Sequence, residues 1–279
     1  MSKYQKNRRR MKLCGAVISL ALVAVACGSD KKASPATSAA PAATQAPAET
    51  TAPEATTAPE ATSAPAGTSA PATGKELKLG IMAECEGAFG GFNEDVVAGA
   101  TLAMINNAGA KSNSRTTALD GFTGANAGGL AIKVVGVGCG NDTADRAIQE
   151  IRKLVEQEGA EVVLGPLSGD EGIAIANYAK DHPEVTFING ISGAQEATLQ
   201  VQAPNFFRYT GDGAQWNAGL GDVLYNKAGW KTAVVIADDY GFGWTSAAGF
   251  IAEFCAVGGK VVQRVFPPLN TTDYSSFIA

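Results

Sequence analysis

The sequence predicts an α/β fold: a parallel sheet with helices on both faces. Three observations lead there. From residue 77 onward, short apolar runs alternate with longer stretches of helical periodicity. The apolar runs are continuous rather than alternating, as strands buried on both faces are. The links between runs are short, which suits repeated βαβ units.

The elements follow in order. Residues 1–12 carry Lys3, Lys6, Arg8, Arg9, Arg10 and Lys12 and no acid, and 13–26 are apolar without charge. A basic head before a short apolar stretch predicts a secretory signal peptide over 1–27. Spanning a bilayer needs about 20 apolar residues, more than this stretch has. The segment "AVAC" places small residues before Cys27 and resembles a bacterial lipoprotein signal, which implies that Cys27 is acylated and becomes the mature N-terminus. Residues 28–74 are a tract of Ala, Pro, Thr, Ser and Glu with almost no large apolar side chain. Such a segment cannot bury enough surface to offset the entropy of ordering, so it is expected to be a disordered tether behind the anchor.

Strands are predicted at "LKLGIMA" (77–83), "LAIKVVGV" (130–137), "EVVLGP" (161–166), "VTFING" (185–190), "NFFRYT" (205–210), "TAVVIAD" (232–238) and "KVVQRVF" (260–266). Helices are predicted over 93–107, 142–158, 170–180, 213–227 and 244–257. The helix at 142–158 is the clearest: Ile148, Ile151, Leu154 and Val155 recur at helical spacing. Asn141 or Asp142 is expected to cap its start, and Gly159 follows its end.

Charge and cysteines narrow the function. The chain holds 22 basic and 27 acidic residues; 6 of the basic ones lie in 1–27, leaving 16 against 27 and a net charge of −11 beyond it. That balance argues against nucleic acid and anionic membrane faces as partners. Cys85, Cys139 and Cys255 remain after the signal and the anchor, and disulfides persist in an exported setting. Cys255, beside Ile251 and Phe254, is expected to be a buried free thiol, the alternative being a partner in a further segment. There is no CxxC and His182 is the one histidine, which argues against a structural zinc site. No cofactor motif emerges. "GVGCGND" fails the dinucleotide pattern because Asn141 stands where its third glycine belongs. "GISGA" approaches a nucleophile elbow, but a hydrolase of that type needs a histidine after Ser192, and His182 precedes it.

The strand ends are where a ligand belongs in such a sheet. They read "ECEGAFGGFNED", "GCGND", "GPLSGDEG" and "NGISGAQE", four consecutive loops rich in Gly and small hydroxyls before helix starts. Helix starts offer unpaired N–H groups and a positive dipole end, so a cleft lined this way suits a carboxylate. Cys85 and Cys139 both follow neighbouring strands at this edge and are expected to form a disulfide.

Four segments together carry a family resemblance: "RAIQEIRKLVEQEGAEVVLGPLSG", "NFFRYTGDGAQ", "TAVVIADDYGFGWTSAAGFIAEFCAVGGKVV" and "NTTDYSSFIA". From about Lys75 to Ala279 the chain resembles type I periplasmic binding proteins, closest to the branched-chain amino-acid type of substrate-binding lipoproteins of ABC importers. The resemblance implies two α/β lobes, 75–210 and 211–279, that close on a ligand between them. It implies that Ser168 binds the ligand carboxylate, with Ser192, Gly193 and Ala194 adding donors. It implies that Asp212 pairs with the ligand ammonium and that Tyr240 faces the cleft. The first loop departs from the family's Gly-Pro-rich turn: Glu84, Glu86 and Phe89 argue against simple leucine-like specificity. Family members continue past "DYSSFIA", so the second lobe is expected to be incomplete, marginally ordered and exposed at Val261, Val265, Phe266 and Phe277. The implied function is a non-enzymatic receptor, lipid-anchored outside the cytoplasmic membrane, that delivers a branched-chain or similar amino acid to an ABC permease and its ATPase. An extracellular sensor of the same fold, feeding a membrane signalling protein, is the alternative.

Overall fold

A computed structural model describes residues 74–278. The signal segment, Cys27 and the tether up to residue 73 lie outside the described residues. Strand β1 (Glu76–Glu84) leads into α1 (Asn93–Ala108). Three two-residue strands follow, β2 (Lys111–Ser112), β3 (Phe122–Thr123) and β4 (Asn126–Ala127), in a stretch where the sequence predicts no element. Then come β5 (Leu130–Gly140), α2 (Ala144–Arg152), β6 (Val162–Leu164), α3 (Gly169–Ala179), β7 (Thr186–Asn189) and β8 (Phe206–Arg208).

These build one six-stranded sheet in the order β4-β5-β1-β6-β7-β8. All its pairings are parallel except β4 with β5. The sheet is covered on both faces. Leu79 and Ile81 of β1 join Val97 and Ala100 of α1 in one core, while Met82 joins Ile151, Leu154, Ile175 and Phe187 in the other. The second face is glycine-smoothed: added Cβ atoms at Gly80, Gly136 and Gly138 would each meet Leu154, at 3.4, 3.0 and 3.3 Å. A large side chain therefore reaches the sheet backbone directly, which close packing rewards.

Beyond β8 lie α4 (Gly213–Trp216), α5 (Leu220–Asp222), β9 (Thr232–Ile236), α6 (Gly241–Ala256), β10 (Lys260–Val265) and α7 (Ser275–Ile278). β9 and β10 form a separate two-stranded parallel sheet. Its core is small: Val235, Ala247, Phe254 and Val261.

Several expectations are corrected. The helix of 213–227 is broken: Asn217 leaves helical geometry and Gly219 is left-handed at φ 89°, so α4 and α5 are separate and a π-helical turn over Val223–Lys227 follows. The cap of α2 is Thr143, whose hydroxyl accepts from Arg146 N–H; Asn141 accepts from Thr143 instead, and Asp142 turns to the β1 loop. Val261 is buried and Val265, Phe266 and Phe277 are half-buried, and the exposed apolar side chains of that sheet are Val234, Ile236 and Val262. Cys255 is not a free thiol. Among the described residues, no helix is long and apolar enough to cross a membrane.

Candidate functional site

The carboxyl ends of β1, β5, β6 and β7 converge on one edge, and acids tie their loops together. Glu84, the last residue of β1, accepts N–H bonds from Leu167 and Ser168 on Oε1, both at 2.7 Å. That fixes the loop after β6 against the end of β1. Glu171 in the first turn of α3 reaches the other way, and its Oε1 accepts from Asn141 and Asp142 at 3.0 and 2.9 Å. Asp142 in turn accepts from Ala88 and Phe89, which sets the loop after β1. Burial pushes the Asp142 carboxyl above the usual carboxylate range, against those two hydrogen bonds, and the charge of Asp170 adds to the rise. A disulfide joins Cys85 to Cys139 across the same two loops, with Cα atoms 5.1 Å apart.

The loop after β7 is shaped from beneath. Asn189 donates to the Ser192 carbonyl at 2.9 Å. The Arg208 guanidinium of β8 donates to the carbonyls of Ser192 and Ala194. Charge-assisted bonds of this kind hold a loop well.

The start of α6 then closes over these loops. Gly241 N–H donates to Asp170 at 2.9 Å. A Cβ at Gly169 would come within 2.7 Å of the Phe242 nitrogen, and one at Gly193 within 2.5 Å of the Phe242 ring. Only glycine admits that approach. Between the two walls lies a cavity of about 200 Å³. Its lining is aromatic: Phe89 and Phe92 from the β1 loop, Trp216 from α4, and Tyr240 and Phe242 at the start of α6, with Leu167, Ile191 and Gly193 completing it. Ring centroids stand 5.5 Å apart for Phe89 and Tyr240, 6.0 Å for Tyr240 and Phe242, and 5.5 Å for Trp216 and Phe242. Burial first, then the charges of Asp238, Asp142 and Asp170, raises the Tyr240 phenol, so it stays protonated. A second cavity of about 540 Å³ adjoins, sharing Phe92, Leu167 and Ile191 and running along α1.

The residues singled out from the sequence fall in three places. Gly193 and Tyr240 line the aromatic cavity. Ser168, Ser192 and Ala194 are fully buried directly behind its lining, and the hydroxyls of Ser168 and Ser192 have no hydrogen-bond partner among the described residues. The Ser192 hydroxyl points at Gly172 of α3, where a Cβ would collide with it. Asp212 sits apart from the cavity lining, as the cap of α4. One of its oxygens accepts from Gln215 N–H at 2.9 Å and the other from the Gln195 amide at 3.1 Å, while Gln215 Oε1 accepts from Asp212 N–H. Phe92, Trp216 and Phe242 were not singled out; each reads as an ordinary apolar residue until three distant segments meet. His182 bonds Glu184 at 3.2 Å and stacks on Tyr178 at 3.9 Å, so it is not assembled with Ser192 as a base and nucleophile would be.

No curated protein sequence matches the chain. Solved structures do. A solute-binding protein of an ABC transporter from R. palustris, in complex with benzoate, is 24% identical, with a TM-score of 0.60, over 73% of this chain and 51% of its own. Another from R. palustris, in complex with 4-hydroxybenzoate, is 20% identical with a TM-score of 0.58, over 73% and 50%. A leucine-binding protein from Thermotoga maritima is 17% identical with a TM-score of 0.59, over 72% and 51%. The chain thus spans about half the length of these structures. The periplasmic binding protein family matches residues 76–279. With the fold, the strand-end cleft and this match in agreement, the chain belongs to the periplasmic binding protein family.

Proposed function

We propose that the chain is the ligand-binding part of an extracytoplasmic solute receptor of an ABC importer, and that its ligand is a small carboxylate with an aromatic or branched apolar body. The observation that carries this reading is the aromatic cavity beside the start of α3. A dry apolar cavity of roughly 150 Å³ is enough for benzene, so about 200 Å³ suits one ring. In this reading the carboxylate end is the wall that carries Gly193, with the unpartnered hydroxyls of Ser168 and Ser192 and the backbone of Ala194 behind it, and Tyr240 and its aromatic neighbours hold the body. The resemblance to branched-chain amino-acid receptors favours an α-amino acid held by Asp212. Against that, both Asp212 oxygens already accept hydrogen bonds, which leaves less for an ammonium and tilts the choice to an acid without one. The solved neighbours named with benzoate and 4-hydroxybenzoate support the same choice. The receptor performs no chemistry. It is anchored through a lipid on Cys27 and hands its ligand to a permease and its ATPase.

Thermal unfolding of the chain with benzoate, 4-hydroxybenzoate or leucine tests this. A ligand at about 100 times its dissociation constant stabilises by about 2.7 kcal/mol. The expected order is aromatic acid above leucine, with the gain lost in Trp216→Ala. Stabilisation by leucine alone would restore the amino-acid reading, and no response to any carboxylate would end both.

A further inference from the structure

Glu84 and Glu171 form a buried pair with an unbalanced set of hydrogen bonds. Both side chains are fully buried. Each spends Oε1 on two backbone N–H groups, and each leaves Oε2 buried with no partner of that kind. Burial, then the charge of Glu84 and a hydrogen bond to it, holds the Glu171 carboxyl above the usual carboxylate range. Glu171 lies over Gly140, where an added Cβ would sit 2.5 and 2.6 Å from its oxygens, and Gly140 is the register partner of Glu84. The backbone beneath the pair is therefore cleared for it.

Two ionised carboxylates in contact and out of water repel, while one proton between them turns two orphan acceptors into a donor and an acceptor. The surrounding charges do not solve the problem. Asp142 faces Ala88 and Phe89, Asp170 faces Gly241, and Glu86 is exposed. Arg146 is held by the Cys139 carbonyl and Glu150, Arg208 by the loop after β7, and Tyr240 lines the cavity. Among the described residues no lysine or arginine forms an ion pair with either acid.

We propose that Glu84 and Glu171 are a binding site for a single proton, which locks together the loops after β1, β5 and β6 and the start of α3. The lock needs no ligand and stands whether or not the cavity takes an aromatic acid. Its direction with pH follows from Glu171. Burial, then the charge of Glu84 and the hydrogen bond to it, pushes the Glu171 carboxyl from its ordinary 4.5 up to about 8. The folded chain keeps a proton that the unfolded chain releases, so the stabilisation is complete below about pH 4.5 and is lost as pH rises to about 8.

The test is urea unfolding of the full chain between about pH 5 and about pH 8.5, with His182→Gln and Asp142→Asn in every sample, which removes the histidine and the other raised carboxyl from the comparison. The midpoint is expected to fall with pH in the parent and to stay flat in Glu171→Gln, whose amide donates without titrating. Infrared spectra of the folded parent at about pH 6 should show a protonated carboxyl band that Glu171→Gln lacks. If Glu171→Gln does not fold, Glu84→Gln serves as the flat comparison, and the parent's slope and band decide without either. A parent midpoint that is flat or rises with pH, a slope surviving in the folded variant, or no protonated band overturns the proposal.

Discussion

Strands β1 and β9 share a local plan: an apolar run, parallel pairing, a glycine-rich turn and a helix. Yet from Leu79 onward β1 is buried at every residue, whereas in β9 only Val235 is, with Val234 and Ile236 still 53% and 50% exposed. β1 lies between β5 and β6 under helices on both faces; β9 pairs with β10 alone. An apolar run selects extended backbone, but its neighbours decide how many of its faces leave water. The same contrast runs through the two sheets. The six-stranded one divides its core between two faces, and the two-stranded one rests on Phe254 and three smaller side chains. Two-stranded sheets are marginal when alone.

The largest effect that sharpens this comparison comes from truncating each core at its centre. Phe187→Ala and Phe254→Ala each remove a fully buried ring and should cost about 3–5 kcal/mol where they act. Phe187→Ala is expected to lower the global unfolding free energy. Phe254→Ala should speed amide exchange in β9 and β10 and leave β1 and β5 protected. Loss of protection in β1 by Phe254→Ala would show one cooperative unit and break the comparison.

Next comes the disulfide. It closes 54 residues within the larger sheet's territory. Replacing Cys85 and Cys139 by Ala should remove about 2–4 kcal/mol from that region, with exchange in β9 and β10 unchanged.

The smallest expected change in stability, within about 0.5 kcal/mol, comes from Val234→Lys with Ile236→Lys. Exposed apolar patches of this kind promote association. Sedimentation should show self-association in the parent and its loss in the variant; a parent that stays monomeric at all concentrations would remove the patch as a cause.

The order and type of the long elements could be read from the sequence because β1, β5 and α2 carry strong periodic or continuous apolar patterns. The strands β2 to β4 could not: two residues hold no period, and their surroundings are Gly, Asn and Thr. The break at Asn217–Gly219 was hidden by apolar residues on both sides that continue the helical spacing. At the site, the loops were evident from their glycines, and Gly193 and Tyr240 line the cavity. Its other aromatic walls come from segments far apart in the chain, and no local pattern joins Phe92 to Phe242. The acid pair was hidden for a different reason. Glu84 reads as a residue of the first loop that bears on specificity, and nothing near it announces a partner 87 positions away. The one local trace was the glycine at 140.

That glycine also imposes an order on mutational history. While Glu171 is present, any side chain at position 140 strikes its carboxyl. Once Glu171 has become a short residue, the three atoms nearest to such a side chain are gone and that collision no longer opposes alanine at 140. The two replacements therefore combine in one sequence of steps and not in the other, a directional epistasis between neighbours of the sort that defeats additivity. A lineage leaving this arrangement must give up the acid first and the glycine second.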